Sequence, residues 1–171
     1  MKWILIPIGA LVALIVLAMA IGALLPKGHV AQRSADFSQP PERVWAAISD
    51  FAGQASWPRD VKAIERIGDR NGKAVWRETS AGGDVIPYET TELDPPRRLV
   101  RTIADPKLPY GGRWIYEVAG APTGARLTIT EEGEVYNPIF RLVSRFMDMR
   151  ATMDRYLVSL GEHFGERVVP R

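Results

Sequence analysis

The chain has 171 residues, room for one domain of ordinary size, and its 22 basic and 20 acidic residues leave a formal net charge of only +2. This balance argues against a nucleic-acid partner. Cysteine is absent, which excludes a disulfide, a thiolate nucleophile and a Cys-ligated metal. The two histidines, His29 and His163, are too few for a His-rich metal site.

The charges are unevenly placed along the chain. No Asp, Glu, Lys or Arg lies between Lys2 and Lys27, and residues 3–25 are apolar except for Pro7, Gly9 and Gly22. As a helix this stretch would be about 34 Å long, against a hydrocarbon core of about 30 Å. It predicts a single-pass membrane anchor over residues 3–25, with Trp3 suited to the interface.

A cleaved signal peptide is the alternative, since Ala18-Met19-Ala20 resembles a cleavage site. Against this, the apolar run continues past Ala20 to Leu25, longer than the usual apolar region of a signal peptide. We therefore expect an uncleaved anchor in residues 1–26 and one folded domain in residues 27–171. The basic residues on the two sides of the span are too balanced to orient it, so the side of the membrane that holds the domain stays open.

After Pro26 the pattern changes to short alternating runs broken by turn residues. Residues 29–37 predict a first strand, and Pro40-Pro41 opens a helix whose apolar residues recur at helical spacing. Hairpins follow, most clearly at Asn71-Gly72, a dipeptide typical of tight turns. Further strands are predicted over residues 61–67, 73–80, 85–93, 97–104, 113–119 and 125–135.

Asn137-Pro138 begins the last predicted helix, which we expect to continue to about Phe164. At 100° per residue its larger apolar side chains share one stripe, which comprises Leu142, Phe146, Met149, Met153, Tyr156, Leu157, Leu160 and Phe164. Hairpins imply an antiparallel sheet, and one apolar stripe must be buried against one face of it. The expected class is α+β, a curved sheet of about seven strands around a long C-terminal helix, with a cavity between them.

Several short motifs resemble a known superfamily in their order and spacing. They are Pro41-Glu42-Arg43-Val44-Trp45, Ile48-Ser49-Asp50, Trp57-Pro58, Asp94-Pro95-Pro96-Arg97-Arg98-Leu99, Gly112-Arg113-Trp114, Ala125-Arg126-Leu127-Thr128-Ile129-Thr130, Glu131-Glu132-Gly133-Glu134 and Asn137-Pro138. Over residues 30–165 the chain resembles the START-like helix-grip superfamily, also labelled SRPBCC or polyketide cyclase/dehydrase-like, which includes the birch-pollen allergens. The resemblance implies a grip fold with a cavity for an apolar or amphipathic small molecule. It does not imply one reaction, because the superfamily mixes carriers and enzymes.

Strand alternation places two charged residues among aliphatic ones. Arg101 shares a strand face with Leu99 and Ile103, and Glu131 shares one with Leu127 and Ile129. If the aliphatic side chains point inward, both charges do as well, and neither is buried cheaply without a partner. Arg101 then meets the polar end of a ligand with Glu131 nearby, or the two form a structural salt bridge. A slip of one residue in the alternation is the third possibility.

Other candidate ligand-binding residues are large and apolar or aromatic. On the strands they are Trp76, Trp114 and Tyr116, and on the final helix they are Phe146, Met149 and Met153. Each of these side chains either lines a pocket or fills the core. The loop over residues 105–112, with two Pro and two Gly, is a candidate lid.

Three functions are compatible with these features. The first is a membrane-anchored domain that binds a hydrophobic or amphipathic small molecule, lipid-like or polycyclic. The second is a cyclase, dehydrase or hydrolase that uses Tyr, Arg and Glu of the cavity as acid–base groups. The third is a tethered interaction module with a filled core. We favour the first, with no cofactor or metal, because the chain has no P-loop, G-x-G-x-x-G or G-x-S-x-G motif. The oligomeric state stays open.

Overall fold

The N-terminal apolar segment is a single helix. The computed structural model describes residues 2–171, with side chains from residue 6 onward, and helix α1 covers Lys2–Leu24. Its portion Ile6–Leu24 is long and apolar enough to cross a membrane. Most of its side chains are exposed in the folded chain, as expected for a helix whose apolar surface is not part of a protein core.

Seven antiparallel strands form one sheet in the order β1-β7-β6-β5-β4-β3-β2. The strands are β1 Gly28–Phe37, β2 Val61–Arg70, β3 Lys73–Ser80, β4 Val85–Asp94, β5 Arg98–Ile103, β6 Tyr110–Ala121 and β7 Gly124–Val135. The β2–β3 hairpin turns at Asn71-Gly72, where both residues have positive φ (51° and 75°), as a tight hairpin turn requires. The predicted α+β sheet of about seven strands is confirmed.

Helices cover the inner face of the sheet. Helix α2, Pro41–Ser49, follows β1, and a short 3₁₀ turn, Gly53–Ser56, leads into β2. Helix α4, Ala151–His163, supplies the largest buried apolar face. The core between these elements includes the fully buried side chains of Phe37, Val44, Ile48, Leu99, Leu127, Ile129, Met153, Leu157 and Leu160. This arrangement is the expected helix grip.

The C-terminal helix differs from the prediction, because it is two helices. Helix α3 covers Pro138–Ser144, and residues 145–150 form turns before α4 begins. Within these turns the Asp148 carboxylate accepts a hydrogen bond from the backbone N–H of Arg150 at 3.0 Å. Helix α3 packs mainly against the C-terminal end of α1 and makes a smaller contact with β7. The single stripe from Leu142 to Phe164 is therefore wrong over its first half.

The loop before β6 is also placed differently from the expectation. Residues 105–109 lie next to the start of α3, where the backbone N–H of Tyr136 donates to the Pro109 carbonyl at 2.9 Å. None of these loop residues lines the main cavity described below. The lid predicted over residues 105–112 therefore does not cover that cavity.

Candidate functional site

A cavity lies between the inner face of the sheet, the first half of α4 and the segment 54–61. Its internal volume is about 80 Å³, and it rises to about 590 Å³ only when the open solvent at its mouth is counted. Its walls carry four aromatic side chains, from Tyr88, Trp114, Tyr116 and Tyr156. Strand β4 carries Tyr88 and strand β6 carries Trp114 and Tyr116, each at a position whose side chain points inward, and α4 contributes Tyr156.

A buried ion pair forms the polar wall of the cavity. Nη1 of Arg101 lies 3.0 Å from Oε2 of Glu78, and the Arg101 residue is only 4% exposed. The guanidinium carbon also lies 4.8 Å from the ring centre of Phe51 and 4.6 Å from that of Tyr88, so aromatic rings hold it as well. Burial lowers the pKa of Arg101, but Glu78, Tyr116 and Tyr88 together raise it by more, so the net pKa lies above its ordinary value. Arg101 therefore stays protonated at neutral pH.

Several hydrogen-bonding atoms beside this pair have no protein partner among the described residues. They are Nε and Nη2 of Arg101 and the hydroxyl of Tyr156, all of them buried. Both residues line the cavity. A buried donor without an acceptor costs on the order of 1–3 kcal/mol, so the arrangement is explained if a bound molecule supplies acceptor oxygens at this place.

The cavity tyrosines are held in their neutral form. Burial raises the pKa of Tyr88, Tyr116 and Tyr156 well above the usual value near 10, and the Glu78 carboxylate adds to the effect. The Arg101 charge opposes the shift in all three residues without cancelling it. At neutral pH these hydroxyls are therefore protonated, and each can donate a hydrogen bond to a ligand.

Two ion pairs bridge α4 and the segment 54–61 at the mouth of the cavity. Nε of Arg155 lies 2.5 Å from Oδ2 of Asp60, and Nε of Arg59 lies 3.1 Å from Oε2 of Glu162. All four side chains are largely exposed. Exposed ion pairs contribute about 0–1 kcal/mol each, so these two add little to the contact between α4 and this segment, where Trp57 also packs against Tyr156 and His163.

Three of the candidate residues from the sequence meet in this cavity, namely Arg101, Trp114 and Tyr116. Glu131 does point inward, as its parity with Ile129 requires, but it does not pair with Arg101. Trp114 stands between them in the sheet register, and Glu131 lies 3.4 Å from Nε2 of His29 instead. The expected Arg101–Glu131 contact is thus replaced by Arg101–Glu78.

The other candidates lie outside the cavity. Trp76 packs on Phe51, with ring centres 5.3 Å apart, and belongs to the core. Met153 is completely buried in that core. Phe146 is 86% exposed and Met149 is half-buried, because both lie in the turn between α3 and α4 that the sequence pattern did not reveal.

Sequence reasoning missed Glu78, Tyr88 and the segment 54–61. Glu78 shares the strand face of Trp76, so the signal was present in the alternation of β3. Tyr88 is brought to the same face by the strand register, which places it opposite both Trp76 and Ile103 and becomes visible only in the structure. Tyr156 was predicted to lie on the apolar stripe of the last helix, and its place in the cavity wall agrees with that.

A curved antiparallel sheet that grips one helix around an aromatic cavity with a buried cation defines a helix-grip domain that binds small molecules. The chain belongs to the family described as polyketide cyclase / dehydrase and lipid transport, whose model matches residues 29–165. No curated protein sequence matches the chain.

Solved structures share this fold at low sequence identity. The Zhui aromatase/cyclase from a Streptomyces species has a TM-score of 0.65 at 14% identity, over 79% of this chain and 93% of its own. Protein XoxI from Bacillus cereus has a TM-score of 0.59 at 15% identity, over 81% and 95% of the two chains. A Rhodobacter sphaeroides protein has a TM-score of 0.57 at 16% identity, over 81% and 98%. Identities this low show the fold alone.

Proposed function

We propose that the protein is a membrane-anchored binding domain for an amphipathic small molecule, lipid-like or polycyclic. Its apolar body would lie against the rings of Trp114, Tyr116 and Tyr156. Its polar end would accept hydrogen bonds from Arg101 and from the Tyr156 hydroxyl. Helix α1 would hold the domain, residues 27–171, at the membrane.

The observation that carries this proposal is the set of buried, unpartnered donors in an otherwise aromatic cavity. In the described part of the chain, Nε and Nη2 of Arg101 and the Tyr156 hydroxyl have no protein acceptor. Glu78 already balances the Arg101 charge at 3.0 Å, so the polar end need not be a full anion. A carbonyl or hydroxyl oxygen suits the site as well as a carboxylate does.

The length and composition of α1 support the anchoring. The segment Ile6–Leu24 has the length of a membrane span, and its exposed surface is almost entirely apolar. An uncleaved N-terminus, measured by intact mass of protein extracted from membranes, would support the anchor. A chain beginning at Ile21 would show a signal peptide instead.

A fluorescent fatty acid, cis-parinaric acid, tests the binding proposal on the full chain held in an amphipathic polymer. We expect saturable binding by the wild type and a roughly tenfold or greater loss of affinity for Arg101→Met, the usual worth of a charge-assisted bond. Arg98→Met is the matched control, because Arg98 lies on the same strand but pairs outside the cavity with Glu92 and Glu117. Equal affinities in all three proteins would contradict the proposal.

The enzyme alternative needs a separate measurement. Native mass spectrometry of the purified chain would identify a small molecule that remains bound. Incubation of that molecule with the protein then distinguishes a carrier, which returns it unchanged, from a cyclase, dehydrase or hydrolase, which converts it.

A further inference from the structure

The C-terminal end of α1 is fixed to the folded domain. Arg141, only 4% exposed, donates from Nη1 to the carbonyl oxygens of Gly22 at 3.0 Å and Leu25 at 3.1 Å. Carbonyl oxygens at a helix end lack their usual i+4 partners, and that of Gly22 otherwise accepts, among the described residues, only a 3.3 Å bond from the Leu25 N–H. Gly22 also lies directly against the backbone of Pro138, where even a Cβ atom would collide. Helix α3 is therefore held beside the end of the apolar span.

An apolar edge stands exposed at this same junction. We define it as the side chains of Ile139, Phe140, Val143, Phe146 and Met147, which are 40%, 40%, 48%, 86% and 52% exposed. Five large apolar side chains exposed within nine consecutive residues form an unusual patch for a soluble surface. Lys27 and Arg145 line a groove at the same junction, at the level where lipid phosphates would lie if α1 spans a bilayer.

We propose that the apolar edge lies in the interfacial layer of the same membrane that α1 spans. The inference rests on the proposed anchoring. The reason is geometric, because α3 contacts α1 at Gly22, close to the end of the apolar span, so α3 sits where hydrocarbon meets headgroups. The Arg141 bonds keep the domain from moving away on a flexible tether, and the apolar edge thus has lipid as its partner.

This docking also orients the cavity. Strand β1 begins and β7 ends at the junction with α1 and α3, and through the antiparallel register β2 begins at that end of the sheet too. Asp60 and Val61, at the start of β2, and Thr152, at the start of α4, line the cavity. The cavity therefore belongs to the membrane-facing end of the domain, and an amphipathic ligand can pass between the bilayer and the cavity without crossing much water.

Site-directed fluorescence on the full chain tests the docking. The wild-type chain has no cysteine, so single variants Phe146→Cys, Leu14→Cys and Leu93→Cys each take one environment-sensitive nitrobenzoxadiazole label. Phe146, Leu14 and Leu93 are 86%, 63% and 57% exposed, so the labels should not disturb the core. Leu93 lies at the opposite end of the sheet, at the end of β4, and is the matched control. The proteins are reconstituted in phosphatidylcholine–phosphatidylglycerol vesicles that contain spin-labelled lipids.

We expect the label at residue 146 to be blue-shifted and quenched most by lipids that carry the spin label near the headgroup. The label at residue 14 should be quenched most by deeply placed spin labels, and the label at residue 93 by neither. If the label at residue 14 is quenched but the label at residue 146, like the control at residue 93, is not, the docking is wrong while the anchor stands. If the label at residue 14 is not quenched, the anchor itself fails. A blue-shifted label at residue 146 that no spin-labelled lipid quenches would indicate a second protein surface and overturn the docking.

Discussion

Arg101 and Glu78 form an ion pair of 3.0 Å across β4, with the arginine 4% exposed as a residue and the glutamate side chain 22% exposed. Because Glu78 is more exposed than Arg101, the loss of either residue affects its partner differently. Removing Glu78 leaves a fully buried cation, whereas removing Arg101 leaves a carboxylate that water can still reach.

We therefore predict that Glu78→Ala destabilises the fold more than Arg101→Met does. An uncompensated buried charge costs about 3–5 kcal/mol, and loss of the bond to a partly hydrated carboxylate should cost on the order of 1–3 kcal/mol. Denaturant unfolding of each variant measures the difference. The double variant should lose less than the two single losses together, since the two residues interact directly. Equal losses would show that the pair is more evenly hydrated than its exposure indicates.

Tyr156→Phe should separate stability from binding. Its hydroxyl is buried and has no protein partner in the described residues, so its removal should leave the free energy of unfolding unchanged or raise it by about 1 kcal/mol. Affinity for the fluorescent fatty acid should fall, because the ligand loses a donor. Tyr136→Phe is the control for binding, because Tyr136 is 43% exposed, lies outside the cavity and hydrogen-bonds Glu134; it should leave the affinity unchanged. A stability loss for Tyr156→Phe with unchanged affinity would assign the hydroxyl a structural role.

Glu131 should make stability depend on pH. Burial raises its pKa above the ordinary value of 4.5, and the nearby His29 reduces the shift without reversing it. A carboxyl with a raised folded pKa favours the fold while protonated, and this contribution is lost as pH rises from its unfolded pKa through its folded pKa. Relative to Glu131→Gln, the wild type should thus become less stable as pH rises from about 4 to 7. Thermal melts of both proteins across this range measure the trend, and a constant difference would contradict it.

Gly22→Ala should loosen α3 from the end of α1. A Cβ at Gly22 would collide with the carbonyl of Pro138, whereas one at Gly9 would meet nothing within 4 Å. We expect faster hydrogen exchange of the α3 amides, residues 139–144, in Gly22→Ala and unchanged exchange in Gly9→Ala. Hydrogen–deuterium exchange of the full chain in detergent, followed by mass spectrometry, measures this. Equal exchange in both variants would mean that the junction adapts to the added methyl group.

Local patterns in the sequence were enough for the sheet and the N-terminal helix. The alternation of Leu99, Arg101 and Ile103 correctly predicted that Arg101 points inward, since strand faces repeat every two residues whatever packs on them. The same holds for the Asn71-Gly72 turn and for the apolar run that ends at Leu25, because residues that are neighbours in the chain determine both features. The motif order over residues 30–165 was enough to indicate the superfamily.

Tertiary structure decided which residues meet. Glu78 and Glu131 both lie two strands from Arg101, but the bulky Trp114 stands between Arg101 and Glu131, whereas the smaller Thr90 is opposite Arg101 on β4; this difference depends on strand order. The predicted long C-terminal helix is divided at residues 145–150, and its first part packs on the end of α1, where Arg141 donates to the carbonyl of Gly22, more than a hundred residues earlier in the chain. Phe146 lies in the turn between the two helices and is exposed. Helical periodicity records only which side chains share a face, and it carries no information on whether that face meets a core, a second helix or a membrane.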